Sequence, residues 1–284
     1  MSGRSKKMIL GGIVWFLMPF ALFAQNTART EAIFPFFIER QIPLAPGDFT
    51  PVDSFHSWFE ILNPNPSTAV VTFHVFDAAG QESFPAGGQP LTRTIEAYGT
   101  GLAAITYFAS GVKSVIGWLR VSATQPVIIQ QQILHAEESR FGPPTRRDIS
   151  SVFKFPATAT RMEVVRVYSV PSAGPFPPLW SNTGISIAFP ASPSAAPARG
   201  TLTLRYVNGT KFAETTVTVP PNGQIVRLFS EWFPQIPGAG ISGTLELLFD
   251  QDVFITAIQM TIQGSKETME PPTSGKIFLG AFGQ

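Results

Sequence analysis

For catalysis this chain offers three histidines and no cysteine; for stacking it offers five tryptophans. A serine triad needs a nucleophile on a strained turn, a base and an orienting acid. Gly184-Ile-Ser186 and Gly240-Ile-Ser242-Gly243 come nearest, yet neither has the Gly-x-Ser-x-Gly spacing. His74 lies in an alternating run, His56 at the start of another, and His135 beside a charged stretch, each without a partner motif. The absence of cysteine removes thiol nucleophiles and thiolate metal sites.

Metal binding needs clustered ligands. Asp53 with His56, and Asp250 with Asp252, are the close pairs; the second is a weak calcium candidate in a turn that favours Asp for its own backbone bonds. Glu137 and Glu138 are adjacent, which turns them apart in a strand and unsuits them to glycoside cleavage. The expectation is therefore no catalytic residue, no metal and no cofactor. Ligand binding through aromatic rings is the remaining chemistry, since a flat ring covers the apolar face of a sugar at little entropic cost. Trp118, Arg120, Trp58 and Trp180 are its candidates, with Trp118 and Arg120 turned away from the side that Leu119 and Val121 bury. The structural alternative is that Trp118 packs between two modules or under a loop.

Those side chains need elements to hold them, and the sequence repeats one. Gly117 to Ile133 reads as Gly, an alternating strand, a polar turn and a second strand, and Gly243 to Gln259 returns it with Leu119/Leu245 and Ile129/Ile255 in register. Pro64 and Pro190 stand 126 apart, as do Gly117 and Gly243, while Gly99 and Gly223 stand 124 apart. Such an offset fits duplication of a whole domain rather than a solenoid. Val71, Phe73 and Val75 alternate with polar positions, as do Leu202, Leu204 and Tyr206. Turns follow at Asp77–Gly80, Asn208-Gly209 and Pro220–Gly223, and Arg227 to Phe233 has helical spacing. Ala32 to Glu39 carries Pro35 and so suits a sheet edge.

Residues 1–24 combine Arg4, Lys6 and Lys7 with an apolar run ending at Ala24, the layout of a secretory signal peptide; an uncleaved anchor is the alternative. Its removal takes Lys plus Arg from 20 to 17 against 19 acids, turning a net charge of +1 into −2. Nothing then favours nucleic acid.

About seven short strands per half predict an all-β chain of two tandem immunoglobulin-like antiparallel β-sandwich modules, with a barrel per module as the alternative. The expected boundaries are module 1 over 25–137, a linker over 138–151 and module 2 over 152–284, where residues 276–282 form a terminal strand for an open edge. Phe34-Pro35 and Phe155-Pro156, Asn63-Pro64 and Phe189-Pro190, Pro220-Pro221-Asn222-Gly223 and the two Gly-led segments together resemble repeat modules of uncharacterised exported bacterial proteins. That resemblance implies secretion and a β-sandwich, and brings no catalytic residue. The expected function is an exported, non-enzymatic structural or adhesive protein binding a protein or glycan partner in the periplasm, at the cell surface or outside the cell. A carbohydrate-binding module and a hydrolase with an unrecognised site are the alternatives.

Overall fold

The computed structural model describes residues 28–40, 52–84, 88–105, 114–139, 142–151, 155–157, 163–172, 179–236, 240–263 and 276–280. The expected export segment, residues 1–24, lies outside them. Among the described residues the chain is all-β, paired antiparallel, with one short helix.

The N-terminal sheet holds β1 (Arg29–Arg40), β2 (Val52–Leu62), β3 (Ala69–Asp77), β4 (Glu82–Ser83), β5 (Leu91–Ile95), β6 (Thr100–Ala104), β7 (Ser114–Ser139) and β8 (Gly142–Ser151). Its order is β4-β3-β7-β1-β2-β6, with β5 also on β3 and β8 on β7. The C-terminal sheet holds β9 (Phe155–Ala157), β10 (Glu163–Ser172), β11 (Leu179–Phe189), β12 (Ala198–Tyr206), β13 (Lys211–Val219), β14 (Gly223–Leu228), β15 (Ile241–Phe249), β16 (Val253–Gln263) and β17 (Lys276–Gly280), with helix α1 (Phe229–Trp232) after β14. Its order is β13-β12-β15-β10-β11-β16-β17, with β14 on β11 and β9 on β16.

Period-two alternation does what the sequence predicts in both halves, except at the end of β12, where Tyr206 is 40% exposed. Val71, Phe73 and Val75 of β3 and Leu119 of β7 face Phe59 and Ile61 of β2 in one core. Leu202, Leu204 and Leu245 face Ile185 and Ile187 in the other, with Phe229 of α1 among them. All of these are at most 1% exposed, so each contributes about 1.5–3 kcal/mol by leaving water. The turns fall where Gly makes them possible: Gly80 and Gly209 both adopt positive φ.

The Gly117–Ile133 segment is not a hairpin. It runs unbroken through β7, whose first half lies between β1 and β3 while its second half pairs with β2. Leu119 thus sits opposite Phe34 and Val75, but Ile129 sits opposite Ile61 on the other side of the core. Side chains hold the corner, where Thr124 Oγ1 accepts from the Val70 N–H at 2.9 Å and Asn65 Nδ2 donates to Pro126 O at 2.7 Å. In the C-terminal sheet the matching stretch divides into β15, paired with β10 and β12, and β16, paired with β11. Alternation fixes which way a side chain points, not which strand lies beside it.

Two further expectations change. The stretch read as a linker is mostly β8, paired on β7 with Leu134 opposite Ile149; among the described strands it joins the ladder of β7 alone, which tolerates Pro143 and Pro144. β1 is not an edge strand, since β7 lies on one side and β2 on the other, but β2 pairs only at Glu39 and Arg40, and a register break against β7 between Phe34 and Phe37 accommodates Pro35. The terminal strand does find a partner, since β17 pairs with β16, Ile277 opposite Ile262.

Candidate functional site

Along β2 the odd-numbered residues Ser57, Phe59 and Ile61 are buried, so His56, Trp58, Glu60 and Leu62 share the opposite face. Trp58 is 37% exposed and lies between Ala104 of β6 and Gln132 of β7. Glu60 lies one step along, between Leu102 and Gln130. Gln132 Nε2 donates to Glu60 Oε1 at 2.8 Å, which fixes the carboxylate beside the indole. Leu102, 61% exposed, adds an apolar patch on the other flank.

At one end of this face β1 contributes Glu39, directly opposite His56. Glu39 is buried, and its Oε1 meets His56 Nδ1 at 3.0 Å. Burial pushes its carboxyl above the usual carboxylate range, against the opposing pull of the His56 hydrogen bond, the His56 charge and the Ser57 backbone. The folded state therefore holds this proton more tightly than the unfolded chain does. The resulting stability is complete below the ordinary carboxylate pKa and is lost as pH rises through the elevated one. Urea titrations across that window should show this decline in the native protein and its absence in Glu39→Gln.

Ser57, though next to His56, is no nucleophile. Its Oγ donates to Ile38 O at 2.9 Å and accepts from the Ile38 N–H at 3.1 Å, inside the core. Gln131, also buried, donates to Phe36 O at 2.8 Å. Glu60 stands four residues from His56, about 13 Å along the strand, too far to share one reacting atom.

Trp118 and Arg120 take a different place from the one proposed for ligand binding. Trp118 is 0% exposed. It stacks on Phe76 with centroids 4.3 Å apart and clusters with Ile33 and with Ala188 of the C-terminal half. Its Nε1 donates to Asn222 O at 3.2 Å. Arg120 lies over the Phe76 and Trp118 rings and reaches Glu31 at 3.5 Å and Pro190 O at 3.4 Å. Alternation turns both away from the Leu119 side, Trp118 into the contact with the other half of the chain and Arg120 to its rim, where the guanidinium side chain stays partly exposed.

Around Trp118 the two halves are bound by a polar lock. The bulge at Pro35 leaves its carbonyl outside the ladder, and Gln224 Nε2 donates to it at 2.7 Å. The same amide donates to Gly117 O at 2.7 Å and lies 2.9 Å from Ser186 Oγ, which also bonds Pro35 O. Asn222, at positive φ, donates through Nδ2 to Gly80 O at 2.6 Å, and the Gln224 N–H donates to Ala78 O at 3.1 Å. Gln224 and Ser186 are buried, so each lost bond would leave an unpaired interior group. Nothing in their local sequence marks them; a glutamine directly after the Pro220–Gly223 turn reads as surface.

Trp180 lies on β11, opposite Pro171 of β10 and Ile262 of β16. Asp250, a weak metal candidate, instead accepts through Oδ1 from the Arg199 N–H of β12 at 2.7 Å. Among the described residues no group of three His, Asp or Glu is placed to hold a metal ion, and Asp252 is exposed beside Asp250. A groove of about 600 Å³ adjoins Asp250, lined by Arg199, Thr201, Thr216, Thr218 and Leu248. His74 pairs with Glu82 at 2.7 Å on a separate exposed face. Asp53 and His135 lie in the β2–β7 ladder, opposite Glu137 and Phe55 respectively.

The fold and site define a class no finer than an all-β protein of antiparallel sheets. No protein-family model matches the chain, and no curated protein matches it. Among solved structures, the "Crystal Structure of Thermotoga maritima 1070" overlaps 44% of this chain and 92% of its own, at 13% identity and a TM-score of 0.26. No helix among the described residues is long and apolar enough to cross a membrane.

Proposed function

We propose that this is an exported, non-enzymatic structural or adhesive protein that binds a protein or glycan partner. In this reading it is built from two immunoglobulin-like sandwiches descended from one duplicated unit. The strand pairings support duplication: β3, the first half of β7 and β1 lie side by side as β12, β15 and β10 do, and Ile61–Ile129 matches Ile187–Ile255. Tyr98 and Asn222, each just before the paired glycines Gly99 and Gly223, both take positive φ.

The observation that carries the structural role is the Gln224 lock. A buried amide tying Pro35 and Gly117 of one half to Ser186 of the other makes the two sandwiches a single rigid body, suited to holding surfaces at fixed spacing. A charge of −2 after loss of residues 1–24 leaves nucleic acid without an electrostatic role, and membrane attachment would rest on that segment alone. The carbohydrate-binding reading is favoured by the half-exposed Trp58 beside Glu60. The hydrolase reading rests on the Glu39–His56 pair, whose neighbouring serine is locked in the core.

The test is to express the full chain in a secreting bacterium, fractionate the cells and sequence the N-terminus. The reading expects protein outside the cytoplasm beginning at Gln25 and accessible to added protease at the surface or in the medium. Protein that stays cytoplasmic and begins at Met1 would overturn it.

A further inference from the structure

β2 and β11 hold the same position in their sheets. Each lies between a short strand (β6 or β14) and a long one (the second half of β7, or β16). Their outward columns are opposites. On β11 the outward residues are Gly184, Ser186 and Ala188, and the last two are 0% exposed because the N-terminal half rests on them. On β2 the same column is Trp58, Glu60 and Leu62, with Trp58 at 37% and its neighbour Leu102 at 61% exposed.

Small side chains let another sheet approach; an indole and a glutamate keep one away. The face of β2 is therefore not a vacant copy of the internal joint. Three strands carrying three outward rows cover about 300 Å², well below the roughly 800 Å² per partner of a stable protein interface. A small ligand fits this area and a second copy of the chain does not.

The chemistry narrows the ligand further. The indole offers a flat apolar surface, while Glu60 and Gln132, bonded to each other at 2.8 Å, place a carboxylate and an amide beside it. Flat carbon faces edged by hydroxyls are the complement of that pattern. Glu60 puts a carboxylate beside Trp58, and His56, the basic residue next along this face, is already paired with Glu39, which disfavours acidic sugars and phosphates. We propose that the outer face of β6, β2 and β7, centred on Trp58, binds a neutral oligosaccharide. The proposal rests on the binding role above and gives it a place and a ligand class.

Calorimetric titration of the full chain with hexasaccharides of β-1,4-linked glucose, β-1,4-linked N-acetylglucosamine and α-1,4-linked glucose tests it. At least one should bind, with affinity about tenfold or more weaker in Trp58→Ala, partly restored in Trp58→Tyr, and within about twofold of native in Thr216→Ala, which alters the separate groove near Asp250. Unchanged thermal midpoints of these surface variants would show that folding is not at issue. Binding that survives Trp58→Ala but falls in Thr216→Ala would overturn this site while leaving a glycan-binding role standing. No binding by any of the three sugars would overturn the ligand class, and the fractionation experiment would then decide separately whether an exported structural role survives.

Discussion

Trp118→Ala is expected to destabilise the protein by about 3–5 kcal/mol, the usual cost of truncating a fully buried tryptophan. The ring is 0% exposed and is gripped from both halves: Phe76 stacks on it from β3, Ile33 borders it from β1, and Ala188 and the Asn222 carbonyl meet it from the C-terminal half. Removing it opens a cavity between the halves and strands the Asn222 carbonyl. Urea unfolding followed by far-UV circular dichroism should show a lower midpoint, and hydrogen exchange should show loss of protection at Gly117 and Gln224 before the two cores. A shift under about 1 kcal/mol would mean that the ring is a surface residue after all.

Gly117→Ala and Gly243→Ala are expected to be comparably damaging, for a different reason. A Cβ on Gly117 would run into the carbonyl oxygen of Phe76 on β3, and one on Gly243 into the carbonyl oxygen of Arg205 on β12. Both obstacles are backbone in a paired strand, so neither can swing aside; relief requires parting the ladder. A loss of about 3 kcal/mol or more is expected from each. Gly209→Ala is the control, since its Cβ would meet nothing within 4 Å and the residue is strained only by a φ of 84°. That substitution should cost about 1–2 kcal/mol. Equal effects at all three positions would contradict the close approach of the strands.

Much of the fold is legible in residue order because it depends on period-two burial and on turn chemistry, both local. Leu119 and Leu245 turn into cores as alternation requires, and Asp77–Gly80, Asn208-Gly209 and the α1 turn fall where their residues place them. Strand partnership is not local. That is why β7 reads as a hairpin when its two halves go to opposite sides of a core, and why the polar, proline-bearing β8 reads as a linker.

The site follows the same division. Trp58 stands out by residue type, but nothing nearby in sequence pairs His56 with Glu39, which becomes its neighbour only when β1 and β2 align. Ser186 and Gln224 carry no motif either. Their role exists because Pro35 breaks the register of β1 and leaves a carbonyl that another part of the chain must satisfy.

Two β-units held together by the contact around Trp118 and Gln224 should keep a fixed separation. The chain has no native cysteine, so spin labels can be placed singly at Thr94 and Thr216, one in each half, and their separation measured by pulsed double electron resonance. A single narrow distance distribution in the native protein, broadened by Trp118→Ala, is the predicted result. A broad distribution in the native protein would contradict it.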